Sequence, residues 1–176
     1  TCSINHPELA SKMVRSLEEK CDIVIVSFHG GAEGSKYQNV TKETETFYGE
    51  NRGNVYEFAR QVIDAGADIV FGHGPHVSRA VDLYKNRFII YSLGNFSTYG
   101  RFNISGPNGL APIVKVFTDP RGEFLKAQVT PVSQYDNNIT KIDQQKRVIK
   151  ILQKLTQQDF PDSKLTISHD GLIQKK

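Results

Sequence analysis

Two short, almost wholly apolar runs, CDIVIVSF at residues 21–28 and ADIVFG at residues 67–72, flank one amphipathic segment, and each leads straight into histidine. Runs of this length, rich in Val and Ile, predict strands buried on both faces, as in a parallel sheet. Between them, Val55, Phe58, Ala59, Val62 and Ile63 recur at helical spacing over residues 53–65, and Gly66 follows as a C′ glycine. Strand, helix and strand in this order predict a βαβ unit with a right-handed crossover. Ligands of open α/β sheets bind beyond the carboxyl ends of the strands. His29 ends the first strand, and His73 and His76 follow the second, so the pattern is that of one half of a metal site.

The rest of the chain frames this unit. Pro7 and Glu8 open an N-terminal helix carrying Leu9, Met13, Val14 and Leu17. Residues 29–51 are polar, contain glycine and show no strong periodicity, as in a functional loop. Beyond the βαβ unit the style changes. Residues 80–84 and 88–91 around Lys85-Asn86-Arg87 predict a hairpin, and residues 110–118 and 123–131 around Asp119-Pro120-Arg121-Gly122 predict another. A last amphipathic helix is expected over residues 142–157, with Ile142 on its apolar face. A small hairpin is expected over residues 165–173. No internal repeat or low-complexity stretch is present. The fold class is α/β in a single domain over residues 1–176, a βαβ unit followed by β-hairpins and a C-terminal helix.

Composition excludes several classes. With 176 residues, 38% hydrophobic and 23% charged, the chain has ordinary globular content. The net charge of +3 is scattered; its densest cluster, Lys146, Arg147 and Lys150, has the spacing of a solvated helix face, so no nucleic-acid partner is expected. The apolar runs are too short to cross a bilayer. Cys21, at the start of a strand, is expected to be a small buried hydrophobe; a disulfide with Cys2 is open but not demanded, and no C-x-x-C pair is present. Ser27 and Ser92 lack the context of a nucleophile elbow, and no GxGxxG or Walker sequence occurs.

The candidate residues each have a plainer alternative. His29 is a ligand or a satisfied sheet-edge histidine, and the Gly30-Gly31 pair after it would let backbone N–H groups approach an anion. His73 and His76 flank Gly74-Pro75, a rigid turn able to aim two imidazoles at one point, or to leave both in solvent. Glu33 could orient an imidazole, contact substrate or be merely solvated. Arg52 and Arg79 are candidate anion clamps through bidentate hydrogen bonds. Asn95 would bind substrate or cap its Gly-Asn turn. Glu43, Glu45 and Glu50 are weaker candidates, and His6 and His169 are expected at the surface.

IVSFHGGAEG, FARQVIDAGADIVFGHGPHV and YSLGNF, in this order, resemble the CapA-type poly-γ-glutamate capsule biosynthesis proteins of the calcineurin-like metallophosphoesterase superfamily. The resemblance runs over about residues 21–117. It implies a metallophosphatase-type sandwich with αββα layers, of which this chain would be the C-terminal half. It also implies a centre of divalent transition metal (Mn, Fe or Zn) held by His29, His73 and His76, with Glu33 as the family's acid and residues 91–96 closing the site. Three departures stand out: Gly30 and Gly34 replace the usual aromatics, and Gly74-Pro75-His76 stands where His-Pro-His is frequent, displacing His73 by one position. The superfamily's early aspartate, Gly-Asp and Asn-His elements would lie upstream of Thr1, so the metal centre is expected to be lost or incomplete in this piece.

Two functions follow as expectations. One is a metal-dependent hydrolase of capsule polymer biosynthesis, with His29, Glu33 and His76 as catalytic residues and Gly30, Gly31, Arg52, Arg79 and Asn95 binding substrate. The other is a non-catalytic binding or assembly component for an acidic polymer on the same fold. The implied partners are the acidic polymer or a phosphoester, the missing N-terminal half, and membrane capsule machinery in the bacterial cell envelope. The piece alone would expose apolar strand edges and pair into a homodimer.

Overall fold

A computed structural model describes residues 1–100, 102–134 and 139–176. Helix α1 (Pro7–Glu18) starts at the expected proline and leads to strand β1 (Ile25–His29). A hairpin of β2 (Glu45–Phe47) and β3 (Glu50–Gly53) precedes helix α2 (Val55–Asp64) and strand β4 (Ile69–His73). Strands β5 (Val81–Tyr84) and β6 (Arg87–Ile90) form the next hairpin, and β7 (Leu110–Thr118) and β8 (Phe124–Gln134) the one after. Strand β9 (Thr140–Ile142), helix α3 (Arg147–Asp159) and strands β10 (Leu165–Ile167) and β11 (Leu172–Lys175) complete the chain.

The fold is mixed α/β. The first sheet has the order β1–β4–β6–β5, parallel from β1 to β6 and closed by antiparallel β5. The second runs β10–β11–β8–β7, with β9 also on β8, and all its pairings are antiparallel. Side chains alternate across a strand, so the first sheet has two different faces. Phe28, Val70 and Ile89 turn toward α1 and α2 and meet Val14, Phe58, Ala59 and Val62. Ile69, Val81, Phe88 and Ile90 turn the other way, toward Phe124, Ala127 and Val129 of the second sheet and Val148, Ile149 and Leu152 of α3. Phe88 and Phe124 stack between the sheets with centroids 5.1 Å apart. Among the described residues no helix is long and apolar enough to cross a membrane.

Local chemistry accounts for the element ends. The Asn54 side chain accepts from Glu57 N–H at 3.0 Å and caps α2, and Gly66, at φ +115°, ends it as expected. Lys85 and Asn86, at φ 48° and 62°, make the two-residue turn between β5 and β6. The hairpin expected over residues 165–173 forms as β10 and β11.

Four expectations are corrected. The first strand is not buried on both faces: β1 is the border of its sheet, and Ile25 is 55% exposed. Apolarity signals burial against something, but among the described residues β1 has one strand neighbour only. Cys21 is exposed and free, as is Cys2, because the strand begins four residues beyond Cys21. The aperiodic 29–51 loop contains a 3₁₀ turn (Ser35–Tyr37), strand β2 and the first half of β3. The last helix begins at Arg147, while Ile142 lies on β9 and is 52% exposed. Asp143 sets that start by accepting from Arg147 N–H at 2.8 Å and from its guanidinium at 3.1–3.2 Å.

Gly72 lets the chain close over the end of β4. A Cβ there would lie 2.1 Å from the Tyr91 carbonyl oxygen and 2.6 Å from Phe28 Cζ, while the Gly72 carbonyl accepts from Leu93 N–H at 3.0 Å. Gly72→Ala should therefore lose about 1–3 kcal/mol of stability in denaturant titration, since neither backbone nor core ring can yield freely. Asp143 gives a second expectation. Burial raises its pKa, but the hydrogen bonds from the Arg147 side chain and backbone outweigh this and hold it below the usual carboxylate value. A carboxyl depressed in the folded state stabilises above its unfolded pKa, and that contribution is lost as pH falls through the folded value. Asp143→Asn should lower the melting temperature at pH 7, and should flatten its decline on acidification.

Candidate functional site

Parallel pairing places His29 and His73 in register at the carboxyl ends of β1 and β4. The backbone of β1 bonds to β4 through alternate residues: the Val24 carbonyl accepts from Asp68 N–H at 2.8 Å, and Gly30 N–H donates to the His73 carbonyl at 2.9 Å. By the same alternation the N–H and C=O groups of Ile25, Ser27 and His29 face the open border of the sheet. A groove of about 730 Å³ runs along this border, lined by Ile4, Met13, Ile25, Ser27, His29 and His73 among others. His29 is exposed and His73 half-buried. Burial, and then the charge of His29, hold the His73 pKa below the ordinary histidine value.

His76 lies elsewhere. Its Nδ1 is 2.8 Å from Asn95 Oδ1, and Asn95 Nδ2 donates to the Asn108 carbonyl at 3.1 Å. Asn108 Nδ2 returns to the His76 carbonyl at 3.2 Å, closing a ring of hydrogen bonds. With the Asn95 amide assigned this way, His76 carries a proton on Nδ1, and its Nε2 faces Glu33 Oε2 at 3.8 Å. The Phe102 ring covers the imidazole at 5.3 Å between centroids. The His76 backbone is left-handed, with φ +58°. Asn108, which is 4% exposed, escaped the sequence reading because Gly-Pro-Asn-Gly reads as plain turn chemistry.

The structure thus brings His29 and His73 together and sets His76 with Glu33 and Asn95. Among the described residues, no group of three or more His, Cys, Asp and Glu side chains is gathered closely enough to hold a metal ion. His6 and His169 lie at the surface, with side chains 63% and 86% exposed.

The anion-binding residues take different parts from those expected. The Arg79 side chain is fully buried, so it is no clamp for a ligand. It donates to both Glu45 oxygens at 2.8 Å, to the Tyr37 carbonyl at 2.8 Å and to the Ala32 carbonyl at 3.2 Å. Sequence could not separate this from a ligand clamp, because a bidentate Arg–carboxylate pair looks the same in either role. Arg52 pairs with Glu33 and Glu50 and donates to the Gly31 carbonyl at 3.4 Å. Gly30 and Gly31 do not offer N–H groups to an anion, since these donate to the His73 and Arg52 carbonyls at 2.9 and 2.8 Å. The two glycines instead allow close packing: a Cβ on Gly30 would lie 2.5 Å from Ile4 Cδ1, and one on Gly31 2.9 Å from Arg79 Nη1.

This arrangement falls within a known sequence family. The profile of the family described as "Bacterial capsule synthesis protein PGA_cap" matches residues 4–99, a stretch holding both histidine-tipped strands, Glu33, His76 and Asn95. The chain belongs to the PGA_cap family. The chain is 37% identical over 90 residues to the PGA biosynthesis protein CapA of Bacillus subtilis, covering 51% of this chain and 20% of that protein. It is 34% identical over 97 residues to the capsule biosynthesis protein CapA of Bacillus anthracis, covering 53% and 20%. A probable polyglutamine synthesis accessory protein of Mycobacterium tuberculosis is 35% identical over 74 residues, covering 42% and 16%. The matched stretch thus spans about a fifth of the Bacillus relatives.

The loops at these strand ends rest on the Arg79–Glu45 pair, which gives a direct test. Arg79→Met would leave Glu45 charged and unpaired in the interior, and should cost about 3–5 kcal/mol in chemical denaturation. The double variant Arg79→Met/Glu45→Leu should recover a large part of that loss, whereas an exposed pair would show little effect in either variant.

Proposed function

We propose that this chain supplies the histidine-bearing part of a metal-dependent, phosphoesterase-like hydrolase centre acting in poly-γ-glutamate capsule biosynthesis. The observation that carries the reading is the in-register pair His29 and His73 at adjacent parallel strand ends, beside a sheet border with unmatched backbone groups. Two imidazoles fit a partial donor set for Mn, Fe or Zn, and the remaining ligands would come from a segment pairing along β1. Relatives about five times longer than the matched stretch have the chain for this. Two sheets face to face, with α1 and α2 outside the first, support a metallophosphatase-type sandwich of which these residues form the C-terminal half.

When bound, the metal would supply a Lewis acid and an activated water. The chain's own residues then have separate tasks. His29 and His73 present ring nitrogens at the strand ends. Asn95 fixes the tautomer of His76 and leaves its Nε2 toward Glu33, and Arg52 holds that carboxylate in place. A second reading, a non-catalytic component that binds an acidic polymer, is favoured by the Glu33–Arg52 ion pair, in which a family acid is neutralised by an arginine from this chain.

Metal titration decides between them. A longer polypeptide that includes the segment preceding this chain should bind Mn, Fe or Zn and hydrolyse a model phosphomonoester. His29→Ala and His73→Ala should each abolish both properties, and Asn95→Ala should weaken metal affinity by about tenfold to a hundredfold. Metal affinity indifferent to all three variants would sink the hydrolase reading. Polyglutamate binding that persists in chelator would establish the second.

A further inference from the structure

A second groove of about 440 Å³ shares no lining residue with the one along β1. It lies between the outer face of α2, the β5–β6 turn and the connection from α3 to β10. Its charged lining is Lys42, Arg60, Lys85 and Lys164 against Asp82 and Asp162. The lysines and arginines of this chain are otherwise scattered, so four cations around one concavity are a local concentration.

Arg60 is the built element. Its guanidinium carbon sits 4.0 Å from the centroid of Tyr56 and 4.6 Å from that of Tyr84, so two rings fix its plane. Nη1 donates to Asp82 Oδ2 at 2.8 Å and to the Tyr91 hydroxyl at 3.2 Å. Among the described residues no acceptor lies within hydrogen-bond distance of Nε or Nη2. The side chain is 21% exposed and lines the groove, so one N–H edge of a rigid fork is left open at its floor. That edge matches the two oxygens of a carboxylate.

The lysines divide into two kinds. Lys85 is neutralised by Asp64 at 2.6 Å. Lys42 and Lys164 have no carboxylate within 4.0 Å among the described residues, and the Lys42 ammonium lies 5.4 and 5.6 Å from the Tyr56 and Phe160 ring centroids. One open arginine edge and two ammonium groups without a carboxylate partner, against the single unpaired carboxylate of Asp162 among the described residues, suit several carboxylates in series better than one.

We propose that this groove holds a carboxylate-bearing chain, with Arg60 as the bidentate anchor and Lys42 and Lys164 as flanking contacts. The identification of that chain with an acidic capsule polymer rests on the reading above; the anion site itself does not. It would give the protein a place to hold polymer away from the strand-end histidines.

The experiment is a calorimetric titration of this chain with γ-linked glutamate oligomers and, separately, with inorganic phosphate. The oligomer should bind in low salt and weaken as salt rises. Lys42→Ala/Lys164→Ala, at positions away from the core, should weaken it about tenfold or more. Arg60→Lys, which keeps the charge opposite Asp82 but removes the fork, should also weaken it, with circular dichroism verifying the fold. Oligomer binding undiminished in the double-lysine variant would overturn the groove while leaving the polymer reading intact. No binding by the unmodified chain would overturn the groove's assignment to that polymer. Phosphate binding with the same lysine dependence, uncontested by oligomer, would overturn the carboxylate assignment.

Discussion

The buried Arg79 guanidinium is the contact on which the strand-end architecture turns. Residues 30–53 place only a few apolar side chains, such as Val40, in the core, and depend on polar contacts for the rest. Arg79 binds Glu45 of β2 and the carbonyls of Ala32 and Tyr37, while Ala32 N–H donates back to Glu45 at 2.8 Å. One side chain from the segment after His76 thereby ties Ala32, Tyr37 and Glu45 of the connection after His29 to a single point. Such a pair is costly to desolvate and contributes little net stability, but breaking it strands a charge. Its effect is geometric: it sets where Glu33, Gly30 and Gly31 lie relative to His73 and His76.

Around that anchor, close backbone approach replaces side-chain bulk. Gly72 admits the Tyr91 carbonyl, Gly74 sits against the backbone of Gly30, and Gly34 N–H donates to the Pro75 carbonyl at 2.8 Å. The strand-end loops are therefore bound to one another through main chain. The ring His76–Asn95–Asn108 then joins them to the segment entering β7, so the region tying the two sheets together is also the one that orients an imidazole.

Much of this was legible in the sequence where a short-range rule applied. The βαβ unit showed in two β-branched runs around a 3.6-residue period, Gly66 marked the end of α2, and the turn at Lys85-Asn86 announced its hairpin. Each of these depends on neighbours within a few residues. The misreadings share the opposite property. The place of β1 at the sheet border depends on what it lacks beside it. The burial of Arg79 depends on Glu45, far away in sequence, and the start of α3 depends on the Asp143 carboxylate accepting from Arg147 N–H rather than on the apolar pattern, which runs back to Ile142. Membership of the PGA_cap family was legible in three motifs, yet those motifs do not say whether Gly30-Gly31 serves a ligand or serves packing.

The left-handed backbone at His76 has one more consequence. Conformations of this kind are easy for glycine, and cost any other residue about 1–3 kcal/mol, although histidine, like asparagine, adopts them more readily than most. Residue 76 is therefore a point where folding and chemistry have opposite preferences. Replacing the histidine by glycine would relax the main chain and at the same stroke remove the imidazole that Asn95 orients. The same substitution would leave the buried Asn95 side-chain oxygen without its hydrogen-bond partner, a loss of about 1–3 kcal/mol that offsets what the backbone gains. The histidine is thus kept in its left-handed place by the bond that orients it.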